Sequence, residues 1–262
     1  MSVLDKAIAA RGPLIGTRVS VASGELAEAL SLSGLDWLFF DMEHSTLGLA
    51  DVQSMIQAMR PPCLSMIRVE DPLPVCVKHA LDTGCDGVIV PQVHTAALAQ
   101  GMGRTAKFPP QGDRSVGWGR AMGYGATMGT GVSTENTRTA LIVQIEHQDA
   151  FAEIDAIAES EGVDALFAGP YDLSGSLGIP GQIDDARVQQ LLDRVVEASG
   201  RAGKSAGVFV ATPAAARREI ARGFQFVVVG SDLATLVAAV QGFCQDLTGR
   251  SGERQQLFVP SK

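Results

Sequence analysis

LIVQIEHQDAFAEIDAIAESEGVDALFAGPYD, residues 141–172, contains two short apolar runs, Leu141–Ile145 and Ala165–Ala168. Each is short and essentially apolar, without polar–apolar alternation, so each suits a strand covered on both faces, as in a parallel sheet. Between them Phe151, Ile154, Ile157 and Ala158 recur at helical spacing. The stretch therefore reads as strand, helix, strand.

The same unit repeats outward. Toward the N-terminus stand Leu14–Val19, Trp37–Phe40, Leu64–Ile67 and Gly87–Val90, and toward the C-terminus Ala206–Val210 and Phe226–Val229. Helical periods fill several of the gaps. Leu49, Val52, Met55, Ile56 and Met59 keep one up to Pro61-Pro62, where proline ends it. Val188, Leu191, Leu192, Val195 and Val196 follow the sixth run, and Leu233, Leu236, Val237 and Val240 the eighth. Eight strands alternating with helices over about 250 residues match a (β/α)8 TIM barrel of the α/β class. An open doubly wound sheet usually has fewer strands and a phosphate-binding glycine loop. Neither GxGxxG nor GxxxxGK[ST] occurs in the chain.

One domain is expected over residues 1–250, followed by a polar tail over 251–262. The connection between the fourth and fifth strands is unusually long, and Gly101–Gly131 holds nine of the 29 glycines. A long glycine-rich loop is expected at about 101–138, either a functional element or a flexible insertion.

Apolar residues make up 46% of the 262 and charged ones 19%, enough for a sizeable core and too apolar for disorder. A net charge of −8 argues against a nucleic-acid groove or a polybasic membrane surface. Cys63, Cys76, Cys85 and Cys244 form no CxxC pair and read as small hydrophobes in a reducing compartment. The opening MSVLDKAIAARGPLIG lacks the apolar stretch of a signal peptide, and no run is long enough to span a bilayer. A cytoplasmic protein is expected.

A barrel keeps its chemistry at the C-terminal ends of its strands. There the sequence places Arg18 and Ser20, then Asp41, Glu43 and His44, then Arg68, then Gln92 and His94. Gln144, Glu146 and His147 close the fifth strand, Gly169-Pro170-Tyr171-Asp172 the sixth, Thr212 the seventh, and Ser231 and Asp232 the eighth. Glu146 and Asp172 come from adjacent strands and can point into one mouth. Two like charges at close range repel unless a cation sits between them. Two carboxylates with waters suit Mg²⁺ or Mn²⁺; zinc fits less well without HxxH, HExxH or a cysteine cluster. Two solvated strand-end carboxylates are the plain alternative.

Arg68 ends a buried strand and needs an anion, either Glu146 and Asp172 or a bound carboxylate or enolate. His44 is a core residue or a general acid/base, and Asp82, near the end of the helix before the fourth strand, is a candidate to orient it. None of Lys6, Lys78, Lys107, Lys204 and Lys262 follows a strand as a Schiff-base lysine should, so imine catalysis is not expected. Metal-assisted acid/base chemistry on a small anion is what remains.

The segments WLFFDMEHSTLGLADV, IRVEDP, ALDTGCDGVIVPQV, KFPPQGDRSVG, VQIE and FAGPYDLSGSLGIPG stand in the order found in the HpcH/HpaI aldolases, which this chain resembles over roughly residues 10 to 245. These are metal-dependent class II aldolases acting on 2-oxo acids, including 4-hydroxy-2-oxoheptanedioate and 2-keto-3-deoxy sugar acid aldolases. The resemblance implies a phosphoenolpyruvate/pyruvate-type barrel whose C-terminal helix is exchanged with a neighbour, in a homo-hexamer built as a trimer of dimers. It implies Glu146 and Asp172 as ligands of a divalent cation (Mg²⁺, Mn²⁺ or Co²⁺), with no nucleotide cofactor. Gln144 resembles the residue that holds metal-bound water. Arg68 resembles the one facing the pyruvate carboxylate and keto oxygen, and His44 with Asp82 the acid/base dyad, supported by Asp41. The backbone of Gly169, Pro170, Tyr171 and Asp172 is similar to the segment that receives the substrate carboxylate. Arg18 stands where some relatives carry a large aromatic, which favours acidic or hydroxylated aldehydes. Trp118, in the long loop, either shapes the aldehyde end of the pocket or packs across a subunit interface.

The activity this implies is reversible cleavage of 4-hydroxy-2-oxo acids to pyruvate, or hydroxypyruvate, and an aldehyde. A citrate lyase-like or malyl-CoA-type lyase is the alternative, and would need a coenzyme A surface that no basic cluster here supplies. A non-catalytic barrel that only binds 2-oxo acids is a third reading.

Overall fold

The computed structural model describes residues 1–249. The strands are β1 (Leu14–Val19), β2 (Trp37–Asp41), β3 (Leu64–Arg68), β4 (Gly87–Val90), β5 (Ala140–Ile145), β6 (Ala165–Ala168), β7 (Ser205–Val210) and β8 (Phe226–Ser231). They pair in parallel, each with the next, and β8 pairs with β1, so the sheet closes into a barrel. The helices are α1 (Val3–Arg11), α2 (Gly24–Ser31), α3 (Leu49–Ala58), α4 (Pro74–Asp82), α5 (Ala96–Ala106), α6 (Met128–Arg138), α7 (Ile154–Glu159), α8 (Pro170–Ser176), α9 (Ala186–Arg201), α10 (Pro213–Arg222) and α11 (Asp232–Thr248).

Two apolar layers hold this together. The barrel interior is filled by Trp37, Phe39, Met66, Phe167 and Phe226, with Leu4 of α1 packed among them. Such large rings fit because small residues face them: a Cβ on Gly207 would lie 2.2 Å from the Phe226 ring. The second layer, between strands and helices, takes the other face of each strand, including Val88, Val143 and Leu166. Burial on both faces is why these strands carry no polar alternation.

At the mouth, helix starts are fixed by caps at or within a few residues of the strand ends. Thr95, Thr212 and Ser231 each accept the amide three residues on, which begins α5, α10 and α11.

The structure corrects the sequence reading in two places. α1 was not anticipated; it is set by a capping box between Ser2 and Asp5. The 101–138 segment is not a loop throughout, since it holds the end of α5, a 3₁₀ turn at Arg120–Gly125 and all of α6. Glycines and β-branched residues give α6, MGTGVSTENTR, a poor intrinsic helix propensity, so its order comes from tertiary bonds. Asn136 accepts from the Phe108 amide at 2.6 Å and donates to its carbonyl at 2.9 Å. Lys107 Nζ reaches the Asn136 and Thr139 carbonyls at 3.1 and 3.0 Å. The apolar stripe of α11 overturns no expectation but is not packed on its own barrel: Leu233, Leu236, Val237, Val240 and Phe243 are all 41–59% exposed. The expected tail at 251–262 lies outside the described residues.

Candidate active site

β2 and β3 run one residue further than their apolar runs, so Asp41 and Arg68 are themselves strand residues and register partners. Asp41 is wholly buried. Its Oδ1 accepts from Arg68 Nε at 2.9 Å and lies 2.8 Å from Arg68 Nη2, while Oδ2 accepts from Arg18 Nε. The amides of Glu43 and His44 also donate to Oδ1, both at 3.2 Å, which folds the Asp-Met-Glu-His turn back over the strand end. Burial pushes the Asp41 carboxyl up, but the Arg68 and Arg18 guanidiniums and the His44 amide outweigh it and leave it below the ordinary range. Arg18 also donates to the His44 carbonyl, and the Arg68 guanidinium lies 5.1 Å over the Phe39 ring.

Across the mouth, Glu146 is buried after β5. It accepts from the Gln92 amide at 2.7 Å and from the Gln144 side chain. Gln92 has φ of 54°, a left-handed conformation for a residue with a side chain. Burial pushes Glu146 up to about 7, against the Gln92 amide and with help from the Glu43 and Asp172 charges. Gly169 lets these groups close up: a Cβ would come 3.1 Å from Glu146 Cβ and 3.4 Å from both Asp172 Oδ2 and Gln144 Nε2.

Several of these groups line one cavity of about 260 Å³, and the others back them. Its walls include Arg18, His44, Arg68, Gln144 and Gly169 through Asp172, with Phe39, Phe167 and Phe209 as the apolar part. Most of the expected site residues therefore share one space, with Asp41 and Glu146 bonded to Arg68 and Gln144 just behind its wall. Two stand apart. Asp82 accepts from buried Arg114 at 2.6 Å and lines a separate hollow with His79, Arg120 and Tyr124, so no Asp82–His44 pair forms within the chain. Trp118 is 75% exposed and lies against Gly125 of its own loop, away from the mouth cavity. Conversely, Glu43, Gln92, Phe39, Phe167 and Phe209 enter the site without having been assigned a role from sequence. Glu43 and Gln92 had a signal, their places just after strands, whereas the phenylalanines looked like ordinary core.

The donor set fits a hard divalent cation. Among the described residues no group of three or more His, Cys, Asp and Glu side chains is arranged to hold a metal ion. Glu146 and Asp172 nevertheless flank Gly169, and Gln144 Oε1 is buried beside them without a hydrogen bond. Oxygen-only donors with room for water and substrate suit Mg²⁺-like ions. Charge agrees: Arg18 and Arg68 pair with Asp41 and Glu43, so once Glu146 is ionised it and Asp172 leave the two negative charges that one divalent cation balances.

The family model for HpcH/HpaI aldolase/citrate lyase matches residues 15–239. A hydroxypyruvate/pyruvate aldolase of Paraburkholderia phytofirmans is 36% identical over 242 residues, 90% of this chain and 93% of that protein. A 2-keto-3-deoxy-L-rhamnonate aldolase of Klebsiella pneumoniae is 35% identical, covering 83% of this chain and 82% of its own length. Among solved structures, an HpcH/HpaI aldolase/citrate lyase family protein from Burkholderia cenocepacia superposes with a TM-score of 0.88 at 34% identity, covering 94% of this chain and 99% of the other. With an eight-stranded barrel, an acidic mouth and these matches along nearly all its length, the chain belongs to the HpcH/HpaI aldolase/citrate lyase family and is a carbon–carbon lyase.

Proposed function

We propose that the chain catalyses reversible retro-aldol cleavage of 4-hydroxy-2-oxo acids, giving pyruvate or hydroxypyruvate and an aldehyde. The observation that carries this is the meeting of Arg68, His44, Gln144 and Asp172 on one small, partly apolar cavity, with Glu146 held against Gln144 behind its wall. Glu146 and Asp172 would hold a divalent cation (Mg²⁺, Mn²⁺ or Co²⁺), which when bound supplies Lewis-acid stabilisation of negative charge.

The chain's own residues do the rest. The backbone at Gly169 through Asp172 receives the substrate carboxylate. Arg68, locked by Asp41, presents a fixed cation to the oxygen on which enolate charge develops, so no reorganisation is needed as the C3–C4 bond breaks. His44 takes the C4 hydroxyl proton as the aldehyde carbonyl forms, and returns it in the addition direction. Gln144 offers its unpartnered buried carbonyl oxygen to a hydroxyl or water. Phe39, Phe167 and Phe209 keep bulk water from the enolate face. Among the described residues Arg18 uses Nε and Nη2 for Asp41 and the His44 carbonyl, which leaves Nη1 at the rim as a donor for an oxygen-rich aldehyde.

The exposed stripe of α11 supports assembly by helix exchange into the homo-hexamer the resemblance implies, and an Asp82–His44 contact would then lie between copies. Free cysteines accord with the cytoplasm. No described helix is long and apolar enough to cross a membrane. The test is a lyase assay coupled to pyruvate detection over a panel of hydroxy-oxo acids with each metal. Pyruvate release from at least one supports the reading, and release only from a coenzyme A thioester refutes it.

A further inference from the structure

Glu43 follows from the same turn that fixes Arg68. Because Asp41 Oδ1 accepts the amides of both Glu43 and His44, the side chains of residues 43 and 44 leave the strand end side by side. The Glu43 side chain is 8% exposed, and its Oε2 is buried without a hydrogen bond. Arg68 Nε lies 3.2 Å away, but its hydrogen is already directed to Asp41 at 2.9 Å. Gln92 Nε2 contacts only Oε1, at 3.4 Å. The remaining proton-bearing group is His44, whose Nε2 stands 3.7 Å from Oε2.

A buried carboxylate oxygen with no donor is unfavourable unless a proton-bearing group arrives. The His44 ring, 62% exposed, is free to close the gap when substrate covers the mouth. Catalytic hydrogen bonds that are long in the free enzyme commonly tighten in this way. Within the same chain Asp82 is held by Arg114 in another hollow, so any contact it makes with His44 comes from a neighbouring copy and leaves the place beside Glu43 Oε2 as it is.

We propose that Glu43 is a positioning residue for His44: its carboxylate seats the imidazole and balances the charge gained when His44 takes the C4 hydroxyl proton. This rests on the aldolase reading above and adds a residue to it.

Two reactions at the same mouth separate the roles. Retro-aldol cleavage needs a base for the C4 hydroxyl. Decarboxylation of oxaloacetate breaks the C3–C4 bond, leaves the electron pair in the same enolate and releases CO₂, with no hydroxyl proton to remove. Glu43→Gln should lower kcat for cleavage about 10- to 100-fold, with the KM for substrate within about twofold and oxaloacetate decarboxylation, which feels Glu43 only through Arg68, lowered several-fold less. Glu43→Asp, which keeps the charge, should recover part of the loss and provides a second variant if the glutamine protein is unstable. Equal losses in both reactions, or unchanged cleavage in Glu43→Gln, would overturn the assignment to His44. So would a selective loss in Asp82→Asn that is absent from Glu43→Gln. A wild-type enzyme inert toward every hydroxy-oxo acid and toward oxaloacetate would overturn the aldolase reading itself, and Glu43's role with it.

Discussion

Asp41 and Arg68 face each other in the register of β2 and β3, and the single Asp41 carboxylate also binds Arg18, so one buried acid fixes both cations of the mouth. Asp41→Asn removes the nearer of the two carboxylates beside buried Arg68 and leaves it only Glu43, 3.2 Å from its Nε. Breaking such a pair costs about 3–5 kcal/mol. The expected outcome is a clear fall in melting temperature together with loss of activity, measured by calorimetry and the lyase assay. A stable Asp41→Asn protein with normal turnover would show that Arg68 is held by something else.

Arg68 itself is expected to act as an oxyanion donor. Arg68→Ala should lower kcat by about 10²–10³. Arg68→Lys should restore little of it, because a point charge on a flexible stem cannot reproduce the fork that Asp41 engages. Steady-state kinetics of the two variants decide this, and full recovery by lysine would count against geometric fixation.

Much of this was legible in the sequence, for physical reasons. Eight apolar runs could be read as barrel strands because residues such as Val88 and Leu166 are buried, and that leaves no alternation. Strand-end polar residues marked Arg18, His44, Arg68, Gln144 and Asp172 because a barrel gathers those positions at one mouth. What could not be read depends on long-range packing. α6 is ordered by Asn136 and Lys107 rather than by helix propensity. Asp82 lies near the end of α4, where sequence spacing says nothing of Arg114, which folds over from the next connection to take its carboxylate. Glu43's importance shows only once Asp41 is seen to satisfy Arg68 and leave Glu43 Oε2 without a donor.

Stability should depend on pH through Glu146. Its carboxyl is ordinary in the unfolded chain, near 4.5, and raised to about 7 in the fold. Between those values the folded state holds the extra proton, so for metal-free protein stability falls as pH rises from about 4.5 to 7, by up to ~3 kcal/mol. A divalent cation binds the ionised form, so added Mg²⁺ or Mn²⁺ should raise the melting temperature more at pH 7.5 than at pH 5.5. Thermal melts at the two pH values, with metal and with EDTA, give the answer; a metal effect independent of pH would remove Glu146 from the ligand set.

Arg18 is expected to select the aldehyde. Arg18→Ala should raise the KM for hydroxylated or acidic aldehydes about tenfold, equivalent to about 1.4 kcal/mol, while acetaldehyde is affected less. Addition kinetics with pyruvate and an aldehyde series measure this, and a uniform loss across the series would assign Arg18 to the Asp41 scaffold alone.

The most direct measurement is the release of pyruvate from a 4-hydroxy-2-oxo acid by metal-loaded wild-type enzyme, beside Glu146→Gln, Asp172→Asn and an EDTA-treated sample. The account predicts equimolar pyruvate and aldehyde from the wild type, none above background from either variant, and recovery of the chelated sample when metal is returned. Undiminished cleavage by both variants, or by fully chelated enzyme, would contradict it.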